Sequence, residues 1–389
     1  MRKVLQISKY YYPFLGGTEQ VARDIAKALS CYDDVEQKII CFNEDAKLGG
    51  YVNKHIETIC EIVDDVEVIR CGYVAKIASQ ALSTTYGKEL KNVITDFRPD
   101  LIILHYPNPF VTYYLLKYIP PQTKLVVYWH LDITKQKFLK HLFDCQNKRL
   151  IKRASKVIGA TPIHVNESKY TPEFGDKRYI LPYAIDEKRL VISDDEKAHA
   201  AEIRNRQVDK VLGFFIGRHV PYKGLRFLIE ASAKIKDEKL HFFIAGTGEL
   251  TEELKQMAAN DSKIEFIGRI TDSEWRSYLY ACDIFCFPSV TRNEGFGLAQ
   301  AEAMYYGKPV VTFTIKGSGV NFVTINNETG LECPNSDSTE YAKALEKLAN
   351  DPKLRKQMGE KGRQRVLDNF TEKQFVKNVG KLLDDLLKN

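Results

Sequence analysis

The stretch NEGFGLAQAEAM, residues 293–304, sets two carboxylates, Glu294 and Glu302, eight positions apart around a Gly-Phe-Gly turn. Glycines ahead of a helix let its first amides meet an anion, here those of Phe296, Gly297 and Leu298, with Gly295 one step earlier. Glu302, one turn further in, offers two acceptor oxygens to a ribose diol. Glu294, in the loop, is placed near a group under transfer. A loop, a helix cap and one solvated Glu would look the same in isolation, so the rest of the chain decides.

Similar hardware follows other apolar runs. Gly16-Gly17 stand just before a helical pattern in YYYPFLGGTEQVARDIAKAL, where a ligand could approach the backbone closely. In GRHVPYKG, Arg218 and Lys223 bracket a tight turn after the run VLGFFI. A guanidinium fork and a mobile ammonium together suit a diphosphate. LHFFIAGTGEL places Gly246 in a turn, but Thr251 stands where a dinucleotide fingerprint needs its third glycine. That turn therefore reads as the lining of a nucleotide site, not as NAD binding, and Ile270 in IGRI lines the same edge.

The elements needed to hold these residues are legible. Val/Ile/Leu runs without polar alternation recur at 4–8, 37–42, 66–70, 101–105, 124–130, 156–160 and 178–182, then at 211–216, 240–245, 264–267, 284–287 and 309–313. Such runs, separated by helical patterns, indicate parallel sheets covered on both faces. Right-handed crossovers then give an α/β chain with two doubly wound Rossmann-like domains, and ligands bind beyond the carboxyl ends of the strands. The expected division is 1–185, 186–370 and a C-terminal helical segment, 371–389, returning to the first domain.

With 389 residues, 44% hydrophobic and 28% charged, the chain suits two full cores. No run reaches the roughly 20 apolar residues of a spanning helix, and the N-terminus does not resemble a signal peptide. The eight cysteines show no Cys-x-x-Cys spacing. They are expected to be small buried hydrophobes in a reducing cytoplasm, without zinc. Residues 134–153, TKQKFLKHLFDCQNKRLIKR, hold five lysines and two arginines against one aspartate, which accounts for the whole net charge of +6. Phe138, Leu139, Leu142, Phe143, Leu150 and Ile151 give the stretch an apolar face. It suits either peripheral contact with an anionic membrane or a core-packed helix with a solvated basic side. No nucleic-acid-binding motif accompanies the charge.

In this order, the motifs resemble those of family 4 glycosyltransferases, retaining nucleotide-sugar enzymes of GT-B fold. The resemblance spans nearly the whole chain. It rests on Gly16-Gly17 after the first strand, on Arg218 and Lys223, and on Glu294 and Glu302 as a Glu-x7-Glu pair. It implies an active site in the cleft between two domains and a sugar-diphosphate donor held without metal or other cofactor. No Asp-x-Asp occurs in the chain. It also implies front-face attack with retention, with Glu294 positioning the sugar and stabilising charge. A lone histidine in an apolar run is usually structural, but the family places one after this strand facing the sugar, which assigns that role to His130 in VVYWHLDI.

WHLDITKQK and HYPNP are similar to a subgroup of bacterial mannosyltransferases that build surface polysaccharide such as O-antigen. That resemblance implies GDP-mannose as donor, with a UDP-sugar as the alternative, and a lipid-linked saccharide as acceptor. It also implies acceptor or sugar contacts at Asp132 and Gln136, and a cytoplasmic enzyme touching the inner face of the plasma membrane. KGSGVNFV departs from the commoner Gly-Gly-x-x-Glu form, placing Asn321 near the acidic position. Two further alternatives are a nucleotide-sugar epimerase of the same fold and a non-catalytic sugar-nucleotide-binding subunit. The second would be expected to have lost Arg218, Lys223 or Glu294.

Overall fold

A computed structural model of the chain describes residues 1–14, 17–44, 57–77, 80–130 and 140–387. The chain divides into two compact units, Met1–Pro182 with Lys373–Asn389, and Tyr183–Glu372.

The first unit is built on an eight-stranded sheet. Its spatial order is Arg178–Ile180, Lys156–Gly159, Lys124–Trp129, Leu101–Tyr106, Arg2–Ile7, Val35–Phe42, Val66–Cys71 and Ile59–Val63. All neighbours are parallel except the last pair, an antiparallel hairpin at the edge. The expected strands are all present, within a few residues of their expected ends. The edge strand ICEIV was not expected, because its alternating residues lack the unbroken apolar run of its neighbours. Its turn is Asp64-Asp65, both at positive φ (49° and 62°), as a two-residue hairpin with right-handed twist requires. The sheet's order reverses beside Arg2–Ile7, which is flanked by Leu101–Tyr106 and Val35–Phe42.

The C-terminal helix Glu372–Leu387 belongs to this unit. Tyr32 OH donates to Val376 O at 2.8 Å, Tyr179 OH to Asn378 O at 3.3 Å, and Arg2 pairs with Asp384 at 3.1 Å. In the helix Lys140–Arg153, Leu150 and Ile151 are fully buried in the unit's core. Asn147 inside the same turn donates to Tyr106 OH and Tyr170 OH at 2.8 and 2.9 Å. Leu150 and Ile151 are thus committed to packing, as the core-packed alternative for this stretch expects. Lys148, Arg149 and Lys152 remain exposed, and Phe143 is half-buried. Phe138 and Leu139, with Lys135 and Lys137, lie outside the described residues.

The second unit holds six parallel strands in the order Ile264–Gly268, Leu240–Ala245, Val211–Ile216, Ile284–Phe287, Val310–Phe313 and Gly330–Cys333. The direction of winding reverses between Val211–Ile216 and Ile284–Phe287. Doubly wound sheets take ligands beyond the strand ends at such a reversal.

Five cysteines are buried as expected, but Cys31, Cys60 and Cys145 are exposed. They sit at a helix end, on the edge hairpin and on the basic helix, where the outward face of an amphipathic element meets water. No helix among the described residues is long and apolar enough to cross a membrane.

Candidate functional site

Lys223 and Glu294 come from the two strands that flank the reversal in the second unit. Val211–Ile216 runs into Gly217 and a short 3-10 turn, Pro221–Lys223, while Ile284–Phe287 runs into the loop carrying Glu294. Lys223 Nζ donates to Glu294 Oε2, and each side chain is only 14% exposed. Ser289 Oγ donates to the same carboxylate oxygen at 3.2 Å, and Ser318 Oγ donates to the Glu294 carbonyl. The ammonium also lies 5.4 Å from the Phe287 ring centroid and 5.5 Å from that of Tyr222. A largely buried ion pair at a switch point holds the Lys223 ammonium where a diphosphate can be met by the strand-end loops. Arg218, in the same loop, is exposed, and its guanidinium donates to Tyr222 OH at 3.4 Å.

The turn is built so that this lysine can fold back. Gly224 has φ +63°, and a Cβ there would lie 2.0 Å from Pro288 O. Gly246 is needed for a related reason, since a Cβ would lie 1.9 Å from Gly217 O. Thr251, standing where a dinucleotide motif has glycine, accepts from Gly248 N at 2.8 Å and bonds His219 Nδ1 at 3.0 Å. It clamps the Gly246–Gly248 turn onto the loop that carries Arg218. Ile270, half-buried, follows the strand Ile264–Gly268 and leads into the capped helix Asp272–Ala281.

Beyond Glu294, Gly295 O accepts from Gly319 N at 2.9 Å, which ties the loop to the KGSG turn. Phe296 is buried against Tyr183 and Phe370, with ring centroids 5.1 and 5.5 Å away. Gly297, at φ +79°, caps the helix Leu298–Tyr305. Inside that helix, buried Gln300 donates to Phe296 O and Val320 O and accepts from Thr324 Oγ1 at 2.7 Å, so the helix start is rigid. Asn321 is accounted for by the backbone. Its Oδ1 accepts from Ile315 N at 2.8 Å, and its amide donates to Phe313 O at 3.1 Å.

Glu302 faces Arg189, 3.8 Å away, and the same guanidinium holds Asp272 in a bidentate pair at 2.8 and 3.1 Å. Arg189 lies 4.4 Å from the Trp275 ring centroid. Burial pushes the Glu302 carboxyl up to about 7 against the pull of Arg189, and Asp272 and Asp186 add to the rise. The native state therefore keeps a proton that the unfolded chain, near the ordinary 4.5, releases, and that stabilisation is lost as pH rises from about 4.5 to about 7. Glu302→Gln should accordingly raise the Tm above wild type at pH 8, with the gap closing towards pH 4.5. A Tm at pH 8 equal to or below wild type would contradict this linkage.

In the first unit, His130 follows Lys124–Trp129 and is 8% exposed. Its Nε2 lies 3.2 Å from Nδ1 of His105, whose Nε2 lies 3.1 Å from Gln6 Oε1. Burial holds His130 well below the usual imidazole range, with His105 and His164 adding to the depression, and pushes His105 down to about 3. The His105–Gln6 partnership was missed, although HYPNP had drawn notice, because no spacing rule links residues on different strands. Gly17 opens the helix Gly17–Leu29. Gly16, Asp132 and Gln136 lie outside the described residues.

Two family models match the chain. The model described as Glycosyltransferase Family 4 matches residues 15–169, and that described as Glycosyl transferases group 1 matches residues 196–365. The O-antigen chain mannosyltransferase C of Escherichia coli is 26% identical, across 100% of this chain and 99% of that one. A GDP-mannose-dependent monoacylated alpha-(1-6)-phosphatidylinositol monomannoside mannosyltransferase of Corynebacterium glutamicum is 31% identical, across 48% and 50%. The structure of Anabaena HepE in complex with UDP superposes with a TM-score of 0.75 at 18% identity, across 99% and 100%, so the fold is GT-B. With both halves matched in order, the chain belongs to the family 4, group 1 glycosyltransferases and is a hexosyl-transferring enzyme of that family.

Proposed function

We propose that this enzyme transfers mannose from GDP-mannose to a hydroxyl of a lipid-linked bacterial surface saccharide, with retention and without a metal. The observation that carries the reading is the Lys223–Glu294 pair at a strand-order reversal, in a chain similar along its whole length to an O-antigen mannosyltransferase. The mannose C1–O bond to the β-phosphate breaks as the acceptor oxygen bonds C1 on the same face. The acceptor proton passes to a departing phosphate oxygen, and GDP leaves. Charge gathering on that phosphate is met by Lys223, Arg218 and the amides of Phe296, Gly297 and Leu298. Gly16, Gly17, Gly246, Ile270 and Gly295 shape the donor's surroundings, and a carboxyl oxygen of Glu302 accepts from the ribose diol. Glu294 and His130 hold the sugar, while Asp132 and Gln136 serve the acceptor.

GDP should raise the Tm of the purified protein with a concentration dependence that UDP lacks, since binding to the native state stabilises by mass action. Stabilisation by UDP alone would move the assignment to a UDP-sugar. The exposed Lys148, Arg149 and Lys152 suit peripheral contact with an anionic leaflet, at about 1 kcal/mol for each engaged charge. Changing all three to Glu should abolish co-sedimentation with anionic vesicles. Undiminished binding by that variant would remove the membrane role.

A further inference from the structure

We propose that Arg189, anchored on Asp272, is a positioning residue for the nucleotide, holding its charge beside Glu302 without taking up the oxygens that Glu302 offers to the ribose. The ribose contact rests on the function proposed above; the hold of Arg189 on Glu302 does not.

Arg189, Asp272, Trp275 and Glu302 all lie in the unit Tyr183–Glu372. Arg189 stands in a turn whose backbone is fixed from several sides. Its amide donates to Asp186 O at 3.1 Å, its carbonyl accepts from Arg276 Nη1 at 3.0 Å, and Leu190 O accepts from Tyr306 OH at 2.7 Å. The side chain is fixed as well. Nε and Nη2 donate to the two oxygens of Asp272 at 3.1 and 2.8 Å, and the guanidinium lies 4.4 Å from the Trp275 ring centroid. A planar fork held in this way has little freedom left to lose. Asp272 opens a helix with a complete capping box, where the dipole favours an acid, and the Arg189 fork holds its carboxyl below the usual range.

With two nitrogens engaged, the third, Nη1, faces Glu302 Oε1 at 3.8 Å. That separation suits an ion pair and is too long for a hydrogen bond. Among the described residues no donor is hydrogen-bonded to the Glu302 carboxyl, although the side chain is only 17% exposed. Buried acceptors are ordinarily filled; here the charge is answered while the lone pairs are left for a ligand. Asp272 maintains the gap, since a guanidinium freed from it would close on Glu302 and fill those acceptors. The other groups facing Glu302 are Asp186, in the turn of Arg189, and Tyr306, at the end of its own helix. On the neighbouring helices, Arg276 is taken by Glu196, and Arg363 lies 5.9 Å from the Tyr305 ring centroid. The adjacent strands Ile284–Phe287 and Val310–Phe313 bring no charged side chain, only the thiol of Cys286. Burial raises the Glu302 carboxyl and Arg189 opposes the rise. Removing the guanidinium therefore moves the titration up, and releasing it from Asp272 moves the titration down.

The test is the affinity of the full chain for GDP, with UDP in parallel, measured by calorimetry across the range from acid to mildly alkaline pH. Wild type, Arg189→Met, Asp272→Asn and Glu302→Gln are compared. Glutamine does not ionise, so dividing each affinity by that of Glu302→Gln cancels the titration of the nucleotide's own phosphate. In wild type the ratio should rise with pH through about 7, because the ionised carboxylate accepts from both ribose hydroxyls. Arg189→Met should move the midpoint to higher pH and weaken binding about tenfold near neutrality, the size of one hydrogen bond. Asp272→Asn should move the midpoint to lower pH. General loosening of the turn would not shift two neighbouring variants in opposite directions. Unmoved midpoints, or shifts of the same sign, would overturn the proposal. If Glu302→Gln instead binds both nucleotides as wild type does at every pH, the ribose contact fails, and the hold on Glu302 is read without nucleotide. The Tm difference that Glu302→Gln makes should then level off at a higher pH in the Arg189→Met background than in wild type; the same pH in both would overturn the hold itself.

Discussion

Lys223→Ala is expected to lower kcat/KM by about a hundredfold or more, the usual cost of removing one preorganised group that meets developing charge. The effect is large because the ammonium is already mostly withdrawn from water and held by Glu294. It therefore needs little reorganisation when the phosphate begins to leave. The substitution also strands Glu294, a carboxylate only 14% exposed, with Ser289 Oγ at 3.2 Å as its remaining side-chain donor among the described residues. Arg218→Ala should cost less, about tenfold, because the guanidinium is exposed and its contact in water is weaker. A steady-state comparison of both variants with wild type decides the order. Equal losses, or a larger loss for Arg218, would contradict the assignment of the leading role to Lys223.

Gly224→Ala should destabilise the protein by roughly 3 kcal/mol or more and displace the turn that carries Lys223. Two costs add. A non-glycine residue at φ +63° pays about 1–2 kcal/mol for its left-handed backbone, and its Cβ would stand 2.0 Å from Pro288 O, an atom of the chain itself that can yield only by moving the neighbouring loop. Gly268→Ala separates these terms. That residue has φ +70°, but nothing lies within 4 Å of the position its Cβ would take, so only the backbone cost of about 1–2 kcal/mol applies. Chemical denaturation of the two variants should show Gly224→Ala the more destabilised. If Gly268→Ala were equally or more destabilised, the close approach to Pro288 would not be the controlling contact.

Much of the fold was readable because buried parallel strands announce themselves as unbroken apolar runs. Val211–Ile216, Leu240–Ala245 and Ile284–Phe287 coincide with their expected spans. Edge elements escaped: Ile59–Val63 alternates, and Gly330–Cys333, GLEC, has its apolar run broken by a glutamate. At the candidate site, Lys223 and Glu294 were picked separately by residue type and position after a strand. Their pairing depends on which strands become neighbours, and that is a property of the sheet order. The same holds for Arg189, which meets Glu302 and Asp272 from a turn far away in sequence. Asn321 looked like a departure in donor chemistry, but its side chain closes a backbone turn. Thr251 likewise marked the absence of a dinucleotide motif, and its hydroxyl proves to be a clamp. A polar residue beside a glycine turn can serve the chain or a ligand, and residue type alone does not separate the two.

The most direct measurement is to incubate the purified enzyme in EDTA with GDP-mannose and a short lipid-linked saccharide, quantify GDP, and determine the anomeric configuration of the product by NMR. One GDP for each new α-mannosyl linkage, unaffected by the chelator, is the expected result. A β-linked product, transfer only from a UDP-sugar, or activity restored solely by adding Mg²⁺ or Mn²⁺ would contradict it.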